Sequence, residues 1–312
     1  MPSKKALLFF NPNSGYGRKK SFFSSNKYHD ETYQKLLSEI LSELSAHSVE
    51  VTPIILDKDT DIKNIINNSM RSNVDIVIAA GGDGTINAVI NGLIPLDIPL
   101  GIIPIGSVNI LALELAIPKS IKDACFVIAN GISTHIDIGK AGPYYFSSMT
   151  GIGLDAQVIK NTPISLKKKY GIYSYIFIGL KQLLFKNKSK ISIQIKNNPT
   201  HYSGYWVLVM NSRYYAGPFT PVPTGSITDG TFDVIILKKK NPLILIKFIA
   251  HLIKGTISLM KEITIIKATH LTIQNSSSPL IHIDAEIIDT PINDIYIIPK
   301  GSFEFAVHLL IA

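Results

Sequence analysis

The chain has 312 residues, which is enough for two domains and a sizeable core. Hydrophobic residues make up 46% of it and charged residues only 17%, a composition that excludes an intrinsically disordered protein. The single cysteine excludes an intrachain disulfide framework, and the net charge of +8 indicates an anionic partner.

The composition also bears on where the protein works. A lone cysteine fits a reducing compartment, and Cys125 lies in an apolar helical segment where a buried, unreactive thiol is expected. The N-terminal lysines precede only five apolar residues, too few for the core of a signal peptide. No uncharged apolar run reaches about 18 residues, so we predict no transmembrane helix and expect a cytoplasmic protein.

Strands and helices alternate in the first part of the chain. Predicted strands cover 6–10, 49–56, 76–79 and 99–104, and predicted helices cover 33–44, 62–70, the residues after 84, those up to 116, and 121–129. This alternation predicts a parallel α/β sheet, in which ligands bind at the carboxyl ends of the strands.

The strongest functional signal lies between Val74 and Leu93. An apolar strand there stops at Gly81-Gly82-Asp83-Gly84, and a helical pattern follows. Strand, glycine turn and helix together place free backbone N–H groups and a positive helix end on a phosphate, and Asp83 adds a carboxylate for a bridging Mg²⁺. The turn is neither a Walker A loop nor a G-x-G-x-x-G motif, and on its own it is equally compatible with glycines that serve turn geometry only.

Two further turns follow strands in the same part of the chain. Residues 11–17 bring Asn, Ser and two glycines, with Arg18 beyond them, and residues 105–109 bring Gly106, Ser107 and Asn109. We expect these turns and the glycine turn to converge on one edge of the sheet.

From about Thr134 the pattern changes to short strands separated by turn signals. The predicted strands are 134–139, 144–148, 191–196, 205–210, 232–237, 263–266, 270–274, 279–283, 294–298 and 303–309. They predict an antiparallel β domain, most simply a sandwich.

Positive charge is concentrated in this second part. From Ala156 to Thr228 there is no acidic residue, while nine lysines and Arg213 give +10. The segment 167–190 mixes lysines with aromatic and aliphatic residues, which suits docking at an anionic bilayer surface or a helix packed on the sandwich with a solvated lysine face. No recognised nucleic-acid motif accompanies the charge, so we expect no nucleic-acid partner.

Two groups of acids in the β domain are candidates for chemistry. Asp284 and Glu286 stand two residues apart in an apolar run, so a strand would present both side chains on one face. That face could simply be exposed to solvent, or one of the carboxylates could accept a proton from a hydroxyl during phosphoryl transfer. Asp229, in the loop 224–233, could bind a hard cation together with nearby carbonyls, or belong to a simple Asp-Gly turn.

Taken together, these segments resemble the bacterial diacylglycerol kinase-like lipid kinases, whose catalytic domain is shared with sphingosine and ceramide kinases. The resemblance runs along nearly the whole chain. The matching motifs are Asn11-Pro12-Asn13-Ser14-Gly15, Gly81 through Asn87, Pro104 through Ala112, Gly151 through Ala156, Asp229-Gly230-Thr231-Phe232-Asp233, and Asp284-Ala285-Glu286.

The resemblance implies a Rossmann-like α/β ATP-binding domain at 1–132 and about 296–312, since the last strand returns to it. A β-sandwich lipid-substrate domain would cover 133–295, with the active site in the cleft between the domains. Residues implied to contact ATP are Asn11, Gly81, Gly82, Asp83, Gly84, Thr85, Ile86, Asn87, Ser107 and Glu286.

The resemblance also implies a catalytic mechanism. Asp284 would be the general base, and Asp83 would act with it through Mg²⁺. The Asp229 side chain, with the Ser226 and Thr231 carbonyls, would hold a structural magnesium ion. This chain departs from the family where Ala285 replaces a glycine, Ala88 a glutamate and Ser107 a threonine, and no threonine stands at Ile55 or Leu56.

We therefore predict an ATP-dependent kinase of a lipid hydroxyl, such as that of diacylglycerol or a sphingoid lipid. Peripheral association with the inner face of the membrane is expected, and an edge strand of the sandwich could pair two copies as a homodimer. Two alternatives stay open: a soluble kinase of NAD or a sugar phosphate, and an inactive regulator that binds nucleotide or lipid.

Overall fold

The computed structural model describes residues 3–14, 26–69, 73–94, 96–163, 166, 178–179, 190–274, 279–299 and 307–311. The chain divides into two compact units, Met1–Ile136 with Lys300–Ala312, and Asp137–Pro299. Within the described ranges, every helix is too short or too polar to cross a bilayer.

The first unit is built on one six-stranded sheet. Its strands are β1 (Lys4–Phe10), β2 (Val49–Ile55), β3 (Ile76–Gly81), β4 (Leu100–Pro104), β5 (Ile132–Ile136) and β18 (Val307–Ile311). The order is β2-β1-β3-β4-β18-β5, with all neighbours parallel except β18 and β5. The predicted parallel sheet is confirmed, and β18, from the end of the chain, lies within it.

Helices connect these strands. They are α1 (Asn26–Ala46), α2 (Ile62–Ser69), α3 (Asp83–Leu93), α4 (Ile110–Glu114) and α5 (Ile121–Asn130). β3 and β4 are buried along their whole length, which explains why they read as continuous apolar runs. Cys125 on α5 is buried, and burial raises the pKa of its thiol to about 12, as expected for an unreactive cysteine.

The second unit contains two antiparallel six-stranded sheets. One has the order β10-β9-β14-β17-β6-β7, from β6 (Ile138–Ala141), β7 (Tyr144–Phe146), β9 (Ile191–Ile195), β10 (His201–Gly204), β14 (His270–Ile273) and β17 (Asp294–Ile298). The other has the order β13-β12-β11-β8-β15-β16, from β8 (Met149–Gly153), β11 (Trp206–Met210), β12 (Phe232–Leu237), β13 (Ile263–Ala268), β15 (Ile281–Ile283) and β16 (Glu286–Ile288).

A single core joins the two antiparallel sheets. Alternate side chains of β9, such as Ile191, Ile193 and Ile195, cluster with Val207 and Val209 of β11. This inward alternation from both sheets is the signature of a sandwich and confirms the predicted fold. The described part of the unit also includes two helices, α6 (Leu154–Asn161) and α7 (Pro242–Ile253), and the 3₁₀ turn Ile257–Leu259.

The division between the units differs slightly from the predicted boundaries at 133 and about 296. β5 pairs with β18 in the first sheet, whereas β17 pairs with β6 and β14 in the second unit. An apolar strand pattern identifies a strand but not the sheet that it joins, so these two strands could not be assigned from the sequence.

Candidate active site

Three strand ends of the first unit meet at one edge of its sheet. The Asn11 amide, just after β1, donates to the Thr85 hydroxyl at 2.8 Å, in the first turn of α3. The carboxylate of Asp83 accepts backbone N–H bonds from Asn109 at 3.0 Å and from Ile110 at 2.6 Å. The turns after β1, β3 and β4 are thus bonded to one another, as their positions after parallel strands predicted; Arg18 lies outside the described residues.

Glycine allows the last two turns to touch through their backbones. A Cβ on Gly106 would lie 2.4 Å from the Gly82 Cα, and one on Gly81 would lie 2.4 Å from the Thr85 Cβ. A side chain at Gly106 would force the two turns apart, and one at Gly81 would displace the first turn of α3. The close approach leaves the first N–H groups of α3, which have no acceptor within the helix, at the strand ends.

These residues fit a nucleotide phosphate. The first turn of α3 offers backbone donors, and Ser107 on the neighbouring turn is exposed. Asn109 is buried in a left-handed conformation, and its side-chain Oδ1 has no hydrogen-bond partner among the described residues. Phosphate oxygens could be bound by the N–H groups and by hydroxyls on these turns.

Not every predicted nucleotide residue lies on the exposed side of these turns. Gly82, Asp83 and Gly84 are partly exposed, and Thr85 is buried beneath them, where it meets Asn11. Ile86 is 1% exposed and packs in the core, and the Asn87 side chain accepts a bond from Asn91 within α3. The Asp83 carboxylate, predicted to hold Mg²⁺, accepts bonds from the backbone of the neighbouring turn.

In the second unit, Asp284 stands at the tip of the β15–β16 hairpin. Its carboxylate accepts backbone N–H bonds from Ser147 at 3.0 Å, Ser148 at 3.1 Å and Met149 at 2.8 Å. Asp284 and Ala285 have φ angles of 44° and 70°, so the hairpin keeps a left-handed turn although alanine replaces the glycine of the family. The predicted base is therefore a 6% exposed carboxylate in a fixed orientation.

A buried polar chain supports this turn. His282 Nε2 lies 2.7 Å from Asp155 Oδ2, and the Tyr215 hydroxyl donates to Asp155 Oδ1 at 2.8 Å. His282 Nδ1 accepts the Ala285 N–H at 3.3 Å, an arrangement that assigns the imidazole proton to Nε2. Gly151 is required beside this pair, because a Cβ there would lie 2.1 Å from His282 Nε2.

Sequence reasoning missed the role of His282. Asp155 and Gly151 were part of a quoted motif, but the histidine lies 127 residues from Asp155 in the chain. Glu286, predicted to contact the nucleotide, is on β16 with an exposed side chain; desolvation by nearby protein atoms nevertheless raises the pKa of its carboxyl.

At the predicted structural magnesium site, a lysine lies beside the Asp229 carboxylate. The ammonium of Lys267 on β13 lies 2.8 Å from Asp229 Oδ2 and 3.2 Å from Asp233 Oδ2. Asp229 Oδ1 accepts bonds from the N–H and the hydroxyl of Thr231, at 2.9 and 2.8 Å. The Ser226 hydroxyl faces that of Thr228 at 3.1 Å. A lysine thus supplies positive charge at the Asp229 carboxylate, where the resemblance implied a cation.

The charges of this cluster are mutually consistent. Burial raises the pKa of Asp229, but the Lys267 ammonium and the Thr231 donors together lower it by more. The net shift of this pKa is therefore downward. Desolvation dominates at Asp233 and raises its pKa. Within the described ranges, no group of three or more acidic, histidine or cysteine side chains could hold a metal ion.

Comparison with known proteins agrees with this geometry. Residues 5–141 match the family model for the diacylglycerol kinase catalytic domain, and residues 148–301 match that for the YegS C-terminal NAD kinase beta sandwich-like domain. Both matches confirm the resemblance that the motifs indicated.

Individual relatives span most of the chain. Identity to a diacylglycerol kinase of Bacillus subtilis is 29% over 286 residues, which covers 91% of this chain and 90% of that protein. Identity to a diacylglycerol kinase of Staphylococcus saprophyticus is 32% over 242 residues, covering 76% and 74%. A crystal structure from Bacillus anthracis strain Sterne has the same fold, with a TM-score of 0.78 at 24% identity over 100% of this chain and 96% of that one.

Proposed function

Because the chain belongs to the diacylglycerol kinase catalytic-domain family, we propose that it is an ATP-dependent kinase that phosphorylates a hydroxyl group of a membrane lipid. Membership in the family makes the chain a kinase. The choice of ATP as donor, of a lipid such as diacylglycerol or a sphingoid lipid as acceptor, and of the inner membrane surface as the place of action is our proposal.

The junction of three strand ends in the first unit carries this proposal. Asn11, Thr85 and Asp83 tie the turns together, so the backbone N–H groups of the α3 terminus are fixed before a nucleotide arrives. Donors fixed in advance stabilise charge on a transferring phosphoryl group without reorganisation during the reaction. Magnesium, when bound with the nucleotide, would neutralise phosphate charge.

The Asp284 carboxylate is proposed to take the proton of the attacking lipid hydroxyl. As the hydroxyl oxygen forms its bond to the γ-phosphorus, the bond from that phosphorus to ADP breaks, and the proton passes to the carboxylate. Three backbone N–H bonds keep Asp284 in one orientation, which supports a positioned base. Asp155 and His282 would act as positioning residues through the hairpin turn.

Labelled ATP tests the function directly. The purified chain is incubated with γ-labelled ATP and Mg²⁺, and with a total lipid extract, NAD or sugar phosphates as acceptor. Label transferred to a lipid supports the proposal, and product identification then names the lipid. Label on NAD or a sugar phosphate would replace it with the soluble-kinase alternative, and nucleotide binding without any transfer would favour the inactive regulator.

Asp284→Asn tests the base, provided that folding is measured alongside it. The amide nitrogen of asparagine would face backbone donors, so about 1–3 kcal/mol of stability is expected to be lost. We expect turnover to fall by roughly 100-fold or more while nucleotide binding persists. Ser147→Ala is the matched control, because it removes the 3.4 Å hydroxyl contacts to Asp284 and Ser148 but keeps the backbone N–H bond to the carboxylate. Full turnover by Asp284→Asn would disprove the base assignment.

A further inference from the structure

Helix α7 presents apolar side chains on two opposite faces. Leu245, Phe248 and Leu252 are buried against the sandwich, where the Phe248 ring lies 4.7 Å from that of Trp206. Leu243, Ile246 and Ile253 point the other way and are 72%, 53% and 65% exposed. Spacings of three and seven residues place these three on one side of the helix.

The exposed apolar face is concentrated in this one segment. Leu259, on the 3₁₀ turn after α7, is also 72% exposed. In the described part of the second unit, these four residues are all of the large hydrophobic side chains that stand exposed. A cluster of exposed aliphatic residues on a helix that is already anchored elsewhere marks an interaction surface.

Lysines surround this face. The stretch 238–262 contains six lysines and a single acid, Glu262. Lys247 lies on the helix and Lys254 directly follows it; both are exposed, as are Lys239 before the helix and Lys261 beyond it. Lys247 pairs with Glu262 at 3.0 Å, and six lysines against this one acid leave the stretch 238–262 strongly positive.

We propose that this face, defined by Leu243, Ile246, Ile253 and Leu259, is a docking surface for an anionic lipid bilayer. Aliphatic residues that insert at the boundary between headgroups and acyl chains, with lysines at headgroup level, are typical of interfacial helices. A second copy of the chain is a poorer occupant, because a self-paired face would bring the two lysine rims together. The choice of a bilayer rests in part on the proposed lipid kinase function.

This surface differs from the basic segment 167–190, which the sequence had suggested for membrane docking. Of that segment, only residues 178, 179 and 190 belong to the described ranges. Helix α7 is fixed in orientation by the Asn241 side chain, which accepts the Leu243 N–H at 2.8 Å, and by its buried face. The exposed side chains are therefore presented by a folded element.

The test combines vesicle binding with a catalytic assay that needs no membrane. The full chain and the triple variant Leu243→Gln, Ile246→Gln and Ile253→Gln are sedimented with phosphatidylcholine vesicles that contain or lack phosphatidylglycerol. We expect wild-type binding to the anionic vesicles only, and at least a roughly tenfold loss of that binding in the triple variant. The control carries Phe126→Gln and Ile132→Gln, two exposed residues of the first unit, and should bind like wild type.

Phosphorylation of a dissolved short-chain diacylglycerol separates this proposal from the proposed function. Equal rates in wild type and triple variant, with vesicle binding lost only in the variant, support docking and exclude a folding defect. If no lipid is phosphorylated but the binding difference persists, docking stands and the proposed function fails. Unchanged vesicle binding by the triple variant overturns the proposal. If the wild type is also a dimer and the triple variant a monomer that still binds vesicles, the face pairs two copies of the chain instead.

Discussion

At the scale of single residues, the hairpin tip beside the proposed base is held in a costly conformation. Ala285 has a φ of 70°, a region that costs a residue with a side chain about 1–2 kcal/mol. The bond from its N–H to His282 and the three bonds to the Asp284 carboxylate retain the turn without glycine. The departure from the family motif therefore adds an energetic cost to the turn, which these bonds offset.

Ala285→Gly is expected to stabilise the second unit. Relief of the left-handed strain outweighs the greater freedom of glycine in the unfolded chain, which costs about 0.4–1 kcal/mol, so we expect a net gain of about 0.5–1 kcal/mol in denaturant unfolding. Ala250→Gly, at an exposed position inside α7, should instead lose about 1 kcal/mol. A destabilised Ala285→Gly variant would show that the alanine is not strained.

Lys267 is the other residue whose role follows from its neighbours. Its removal in Lys267→Met leaves the Asp229 and Asp233 carboxylates close together without a cation. Because the ammonium is partly exposed, we expect a loss of about 1–2 kcal/mol rather than the larger cost of breaking a buried pair. Thermal unfolding of the variant should then shift upward with added Mg²⁺, whereas that of the wild type should be insensitive to Mg²⁺ and to EDTA.

The exposed pair of Lys247 and Glu262 gives a control for that experiment. Lys247→Met should change stability by less than about 1 kcal/mol and create no response to Mg²⁺. A wild-type midpoint that rises with Mg²⁺ would mean that the cation displaces the lysine, and the role assigned to Lys267 would be wrong.

At the scale of elements, β18 closes the gap between β4 and β5. The backbone of Leu309 is paired with Leu100 on one side and Thr134 on the other. Without this strand, two long edges of the first sheet would lose their common partner and become sites of aggregation.

Leu309→Pro tests that dependence. Proline removes the backbone donor of a central strand, so we expect a loss of about 3 kcal/mol or more and a first unit that is cut by protease at low concentration. The second unit should keep its resistance, since β18 does not belong to it. Leu309→Ala leaves the backbone donor in place and serves as the control; equal protease resistance in the proline variant would contradict the central position of β18.

The same elements explain what the sequence could and could not predict. The glycine turn was predictable because strand, turn and helix are contiguous, and parallel strands bring their carboxyl ends to one edge. The Lys267–Asp229 ion pair and the Asp155–His282 contact each join residues far apart in the chain, so no local pattern indicated them. β5 was assigned to the sandwich, since its pairing with β18 depends on a segment at the other end of the chain.

At the scale of the whole molecule, charge is distributed very unevenly. The stretch 156–228 carries +10, which exceeds the net charge of +8, so the remaining residues sum to −2. Six lysines around α7 add a second positive concentration in the same unit. We expect such a concentration of charge to favour attraction to anionic membranes, over a distance that is set by salt screening.

Binding of the full chain to phosphatidylglycerol vesicles should therefore fall steeply as sodium chloride rises. The Debye length shortens from about 30 Å at 0.01 M to about 8 Å at 0.15 M, which removes the long-range part of the attraction. Replacing Lys239, Lys254 and Lys261 by glutamine should weaken binding at low salt and flatten its dependence on salt. Binding that is independent of salt would show that the lysines do not take part.

The return of β18 to the first sheet also sets an order of folding during synthesis. Residues 137–299 form a continuous unit, and all of them leave the ribosome before residues 307–311. Until then β4 and β5 of the first sheet lack their common partner, whereas the sandwich already has all of its strands and can fold. The first unit is thus the first to begin and the last to be completed. We therefore expect the emerging chain to gain protease resistance first in residues 137–299 and only afterwards near its N-terminus.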